Sequence, residues 1–455
     1  MFPAVVRRFL LVLGSTFLAG IGGEALLAPA VAAEPREPVY SCEALGKGFI
    51  EFPGSDTCFF VGINVATEYL NEFVEDELDV RVTRNPVIVP GDAVGEAFVI
   101  LDTADVSSFP SLTQFRVNAR TSLTTATPTE RGPLVSYIGV RFLPEITGEV
   151  RTLVTPGPVR PITIEADSET ARLEYAWIKW AGFTAGLHGS VFNFVPGFNY
   201  SSSYASDRKL VLFAYSTPVH DTAALTLSLE DNAARRVEAG DWATYGRVEM
   251  PDILAALDVA REWGNLHAAA AVHRISDAVA CCKAVPPDIY DHAYGWAATG
   301  GIEYRMEFGE QRGRILLSGA IADGAVDYLG IPYFATDYIT DRDGSVVTTR
   351  GASAVVSYEH VWNPNLKSAL SLSVYETETD VTNLRWRVRG LLAQAGIEYM
   401  PAPNFVIGTE VSFTADKAEY TYRALPLPPG VGTANHSESV DFFSAMIYAK
   451  RQIGQ

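Results

Sequence analysis

The sequence predicts an all-β protein, a transmembrane antiparallel β-barrel, and three observations carry that reading. Short segments alternate apolar and polar residues with a period of two. Aromatic side chains cap the apolar faces, where the two interfaces of a bilayer would lie. Beyond the N-terminus no stretch of this 455-residue chain approaches the roughly 20 apolar residues that a membrane helix needs. A closed barrel is then the membrane fold that satisfies every backbone polar group.

The chain opens MFPAVVRRFLLVLGSTFLAG, with Arg7 and Arg8 ahead of an apolar centre, and LLAPAVAAEP supplies small residues before Glu34. That order is expected of a secretory signal peptide over 1–33, which leaves 34–455 as one barrel unit. Gly22, Gly23 and Glu24 interrupt the apolar run too early for a membrane anchor. Export permits disulfides, and Cys42 and Cys58, 58 − 42 = 16 positions apart, are a candidate pair. The competing reading, a zinc site, needs four ligands, and no histidine or further cysteine stands nearby. Cys281 and Cys282 are adjacent, a spacing that rarely forms a relaxed bridge, and their role stays open.

The formal charge is −19. Removing 1–33 takes away Arg7, Arg8 and Glu24, a net +1, so the exported chain stands at −20. Nucleic acid is therefore not expected as a partner, because phosphate binding needs a basic footprint.

The strand pattern is clearest in GWAATGGIEYRMEF, where Trp296, Ala298, Ile302, Tyr304, Met306 and Phe308 share one face and Thr299, Glu303, Arg305 and Glu307 the other. In ALTLSLED, Leu225, Leu227 and Leu229 oppose Thr226, Ser228 and Glu230. In ALSLSVYE, Leu370, Leu372 and Val374 oppose Ser371, Ser373 and Tyr375, and in NFVIGTEVSF, Phe405, Ile407, Val411 and Phe413 oppose Gly408, Glu410 and Ser412. A soluble sandwich also alternates. The aromatic caps and strand candidates of about ten residues favour the barrel. Short connections such as NPNL at 363–366 and PAPN at 401–404 read as tight turns, and 327–350 and 420–439 as long loops.

The arrangement of Cys42, Gly46, Gly48, Phe49, Pro53, Gly54, Asp56, Thr57 and Cys58 closely resembles the N-terminal signature of the alphaproteobacterial porins. YAWIKWAGFTAGLHGSVFNF at 175–194, LSLEDNAARR at 227–236 and the stretch 250–273 are similar to the same family. The resemblance implies a sixteen-stranded barrel in the outer-membrane lipid, assembled as a homotrimer, that passes small hydrophilic solutes and ions without a cofactor. It also implies that the Cys42–Cys58 bridge ties down the first strand where it meets the last, and that about residues 188–207 fold into the pore. The sequence departs from the family in ending at Gly454 and Gln455 rather than on an aromatic residue, and residues 71–113 are long and acidic at their start.

In a diffusion channel the functional residues are those that set the radius and field of the constriction. Arg385, Arg387 and Arg389 in NLRWRVRGLL share one strand face, and a guanidinium facing lipid near mid-membrane would cost on the order of 2–4 kcal/mol. They are expected to line the lumen, so that Arg387→Glu would shift selectivity toward cations. A place in an extracellular loop is the alternative. Arg116 and Arg120, flanking Asn118, belong to the same expected basic wall, with Arg141 a weaker candidate. Asp207 is the acidic residue expected on the inward loop, whose phenylalanines are expected to pack against the wall. An arginine ladder facing a nearly neutral loop suggests a weak preference or even one for anions, while the acidic chain suggests a slight preference for cations, which is the expectation kept.

Enzymatic and metal motifs are missing: there is no His-Glu-x-x-His, no Gly-x-Ser-x-Gly and no phosphate loop. His267 and His273 share a face without a third ligand. No metal or catalytic residue is expected. A substrate-specific channel is the second reading, and a barrel enzyme a distant third.

Overall fold

A computed structural model describes residues 42–45, 48–74, 112–143, 170–238, 245–277, 292–331, 335–341, 345–382, 384–422 and 434–453. The expected signal peptide, Gly46, most of 71–113, and Cys281 with Cys282 lie outside the described residues.

The strands run in order as β1 (Ile50–Glu51), β2 (Cys58–Val74), β3 (Leu112–Thr127), β4 (Leu134–Leu143), β5 (Thr170–Trp180) and β6 (Phe183–Gly189). Next come β7 (Lys209–His220), β8 (Ala223–Glu230), β9 (Asp252–Arg261), β10 (Gly264–Ser276), β11 (His292–Phe308) and β12 (Gln311–Asp323). After the short β13 (Tyr338–Thr340) and β14 (Val346–Thr348) follow β15 (Arg350–Asn363), β16 (Leu366–Val381), β17 (Leu384–Ala402), β18 (Phe405–Tyr422) and β19 (Ala434–Ile453). Leaving out β1, β13 and β14, the remaining 19 − 3 = 16 strands form one antiparallel ring. The ring closes where β19 returns to β2, from Ile63 opposite Ile453 to Val74 opposite Phe442. Closure removes the unpaired edges that an open sheet would present to lipid.

Period-two alternation sorts the side chains. Leu370 and Leu372 on β16, Ile397 and Tyr399 on β17, and Ile407, Val411 and Phe413 on β18 are exposed on the outer surface. Glu410, Gln394, Ser371 and Ser373 on the opposite face are buried within the ring. Trp296 and Tyr294 near one end of β11, and Tyr304 and Phe308 near the other, are exposed outward, as two aromatic girdles require.

The two ends differ. Two-residue turns at 181–182, 221–222, 262–263, 309–310, 364–365 and 403–404 join strand pairs at one end, where β2 starts and β19 stops. At 403–404 the left-handed φ of 58° falls on Asn404, a residue type that tolerates it. The opposite end carries the long connections, among them 190–208 and 324–349.

Cys42, in the short 3-10 helix Cys42–Leu45, is bonded to Cys58 with Cα atoms 5.5 Å apart. The bridge folds the N-terminal segment back so that β1 pairs with β2, Ile50 opposite Phe59. Gly48, at φ 92°, lets the Phe60 ring approach to where a Cβ would stand 3.0 Å away.

The space inside the ring is partly filled. The inner faces of β9–β12 carry small residues, Ala256, Ala269, Ala271, Ala297, Ala320 and Ala322, and against them pack Phe192, Val326, Tyr328 and Leu329. Side chains of one methyl leave room for a folded-in segment, which then buries its own apolar surface.

Candidate functional site

Residues 190–208, between β6 and β7, enter the ring. The Ser190 amide donates to the Arg208 carbonyl at 2.9 Å, which closes the neck of the loop. Phe192 is buried with its ring 4.7 Å from that of Tyr328. Phe194 stacks on His267 at 5.3 Å, over Gly301, where a Cβ would lie 2.6 Å from the ring. The Phe198 amide donates to Ser357 Oγ at 3.0 Å, and the Arg314 guanidinium sits 4.1 Å over its ring.

At the tip, the Tyr200 and Ser201 amides donate to the Glu410 carboxylate at 2.6 and 3.2 Å, and Tyr200 Oη donates to Glu68 at 2.5 Å. The Tyr200 ring also stacks on Tyr448 at 4.0 Å. On the return leg Ser203 Oγ donates to Gln394 at 3.0 Å and Tyr204 Oη to Asp416 at 3.2 Å. Arg208 then pairs with Asp327, which Arg235 also holds at 3.1 Å. Arg235 is fully buried, with its guanidinium 4.1 Å over Tyr328. The loop is thus fastened to inward groups of β10, β12 and β15–β18, and its tip reaches β19 and β2.

Across from it stands the wall of β3–β5. Arg116, Asn118 and Arg120 alternate along β3 with the exposed Phe115 and Val117 and turn to the lumen. Asn118 Oδ1 accepts from Arg141 Nε at 2.9 Å. Arg120 Nε and Lys209 Nζ share Glu174, at 3.2 and 2.6 Å. Asp207 lies within electrostatic reach of Lys209, Glu174 and Arg120. Nearer the short-turn end, Tyr137 and Trp177 stack at 5.4 Å with planes 12° apart.

Arg385, Arg387 and Arg389 are not in that wall. On β17 the even-numbered Gln394 faces the loop, so the odd-numbered arginines point outward, in phase with Ile397 and Tyr399. There they meet carboxylates of adjacent strands. Arg385 pairs with Glu378 at 2.8 Å, Arg387 with Glu376 at 3.4 Å and with Glu378, and Arg389 with Glu419 at 2.8 Å. The expectation that they line the lumen is corrected, and the physical reason is length. At 19 residues β17 is about twice what the hydrocarbon requires, so its end near the β16–β17 connection projects beyond the bilayer core, where paired outward charge costs little.

Residues that spacing alone did not single out are Glu68, Glu174, Lys209 and Glu410. Glu68 shares a face with the buried Ala66 and Leu70, a signal present in the sequence. Glu174 is harder, because a register shift between Gly139 and Val140 breaks the alternation of β5 against β4. His267 and His273 face inward, His267 paired with Asp258 at 2.7 Å and His273 with Asp252 at 2.9 Å. Among the described residues no three metal-ligating side chains gather.

Residues 29–442 match the family model described as porin subfamily. Among solved structures, the outer membrane channel DcaP of Acinetobacter baumannii is similar with a TM-score of 0.57 at 13% identity, over 89% of this chain and 100% of that one. OmpT, an outer membrane protein of Vibrio cholerae, gives 0.47 at 11% identity, over 88% and 98%. The anion-selective porin from Comamonas acidovorans gives 0.43 at 10% identity, over 87% and 100%. A search among curated proteins gives no match.

Proposed function

The chain belongs to the porin subfamily, and from that premise we propose that its passage runs between loop 190–208 and the wall of β3–β5. The protein is an outer-membrane channel for passive diffusion of small hydrophilic solutes, with short turns on the periplasmic side and long connections outside. One observation carries the position of the passage: apart from Tyr200 to Glu68 and the neck's bonds to Glu230, the hydrogen bonds of the loop to the barrel go to β15–β18, so its open side faces Arg116, Arg120 and Arg141.

In this reading the chain works as a homotrimer and performs no bond chemistry. Glu68, Glu174 and Asp207 face Arg120, Arg141 and Lys209 across or along the passage, and such a transverse field orders water and orients solutes. The near balance of sign keeps selectivity weak, while the formal charge of −19 enriches cations at the mouth. The test is a planar bilayer containing purified protein under a salt gradient. Large, ohmic, stepwise currents with a reversal potential on the cation side are expected. Silence from inserted, folded protein would defeat the open-channel reading, and an anion-side potential the selectivity.

A further inference from the structure

Phe192, Phe198 and Tyr204 of the loop and Tyr328 of the segment 325–331 are buried, and the loop covers Tyr375 and Tyr448 of the wall. Tyr137, Tyr175 and Trp177 differ. They point inward from β4 and β5, in phase with Arg141 and opposite the exposed Ile138 and Ile178, and remain half-exposed. Two neighbouring inward positions are glycines, so no side chain roofs the rings there. Gly139 lies two residues from Tyr137, and Gly186 stands opposite Trp177 with φ 124°. At Gly186 a Cβ would stand 2.2 Å from the Ala176 carbonyl oxygen, so this position excludes a side chain on steric grounds.

The rings are ordered among themselves. Tyr137 and Trp177 are directly opposite across the β4–β5 ladder and stack, Tyr175 meets Tyr137 edge-on at 6.0 Å, and His188 meets Trp177 edge-on at 5.4 Å. Lys209 Nζ sits 4.7 Å over the Tyr175 ring. Tyr175 is two residues along β5 from Trp177, about 7 Å toward the cations. Those cations are Arg120, Arg141 and Lys209, with Glu174 and Asp207 beside them.

We infer that the Tyr137–Trp177 stack with Lys209 and Arg120 above it forms a binding station in the lumen for solutes that join a flat ring face to a carboxylate. The inference rests on the channel reading. The ring would lie on the half-wetted aromatic pair and release water from both apolar faces, while the carboxylate turns toward the ammonium and guanidinium groups. Aromatic acids and sugar acids share this chemistry.

The test adds sodium benzoate, and separately sodium glucuronate, to one side of a bilayer carrying the native channel in potassium chloride. A saturable fall in current is expected with at least one of them, at concentrations where sodium acetate and glucose have little effect. Block by benzoate alone assigns the station to aromatic acids, and block by glucuronate alone to sugar acids. Trp177→Ala is expected to weaken the block about fivefold and Trp177→Phe to retain most of it, on the usual scale of one aromatic contact. Lys209→Gln weakens it too, whereas Trp296→Phe, on the outer surface, leaves it native. No block by either acid, block equal to that of acetate, or block indifferent to Trp177→Ala would overturn the station. Potassium chloride steps that persist in those cases leave the channel reading standing, and their absence in the native protein removes both.

Discussion

Arg120 and Arg387 both sit on strands beside carboxylates, and the side of the sheet decides what each does. Arg120 shares Glu174 with Lys209 inside the ring, while Arg387 holds Glu376 and Glu378 on the outer surface. Arg120→Glu exchanges a positive for a negative charge in the passage and is expected to raise the cation-to-anion permeability ratio roughly twofold or more. Arg387→Glu is expected to leave the ratio unchanged, read from the reversal potential of each variant. An equal shift in both would put the outward arginines back in the lumen. The sequence showed that the three arginines share a face, because spacing two on a strand does that. It did not show which face, since the cost of charge in lipid applies only within the hydrocarbon, and β17 runs past it.

At the scale of the element, the loop is held by carboxylates at its tip, Glu410, and at its return end, Asp327. Asp327 accepts from both Arg208 and the fully buried Arg235, and losing one partner of a buried pair costs about 3–5 kcal/mol. Asp327→Asn is therefore expected to lower the unfolding midpoint and to make the open-channel current noisier. A quiet channel of native stability would show that the loop is held elsewhere.

Asp337 ties together the connections around it, accepting from the amides of Val237 and Val326 at 2.7 Å and from Tyr245 Oη at 2.8 Å. Burial pushes its carboxyl up to about 6, against the opposing pull of His273 and its three donors. The folded state thus holds this proton more tightly than the unfolded chain. The resulting stabilisation is present below the ordinary carboxylate range and lost as the pH rises through 6. Unfolding midpoints at pH 5 and pH 7.5 should differ less in Asp337→Asn than in the native protein, and identical slopes would contradict this.

The loop was legible only through the family resemblance, which placed it at 188–207 against 190–208 in the structure. Its anchoring was not, because Asp327, Gln394 and Glu410 are brought to it by barrel closure from far along the chain.

At the scale of the whole molecule, alternation is shared with a soluble sandwich, and it was the aromatic caps, the strand length and the alternation of short turns with long loops that favoured a closed barrel. The Cys42–Cys58 pair bears on the same closure, because it anchors the start of β2 at the end where β2 pairs with β19 near Ile63 and Ile453. Replacing both cysteines by serine is expected to cost on the order of 3 kcal/mol, the loop entropy of a 16-residue closure, seen as a lower denaturant midpoint in detergent. An unchanged midpoint would make the bridge dispensable to the ring. The proposed homotrimer predicts cross-linked species of three chains and conductance steps that close in thirds.

The most direct test of the passage places a single cysteine at Asn118, on the β3 wall between Arg116 and Arg120, in a background with Cys281 and Cys282 replaced by serine. A bulky thiol reagent added during a bilayer recording should cut each conductance step, and the same reagent on Arg387→Cys should not. Steps that survive labelling at position 118, or fall on labelling at 387, would contradict a passage between the loop and the β3–β5 wall.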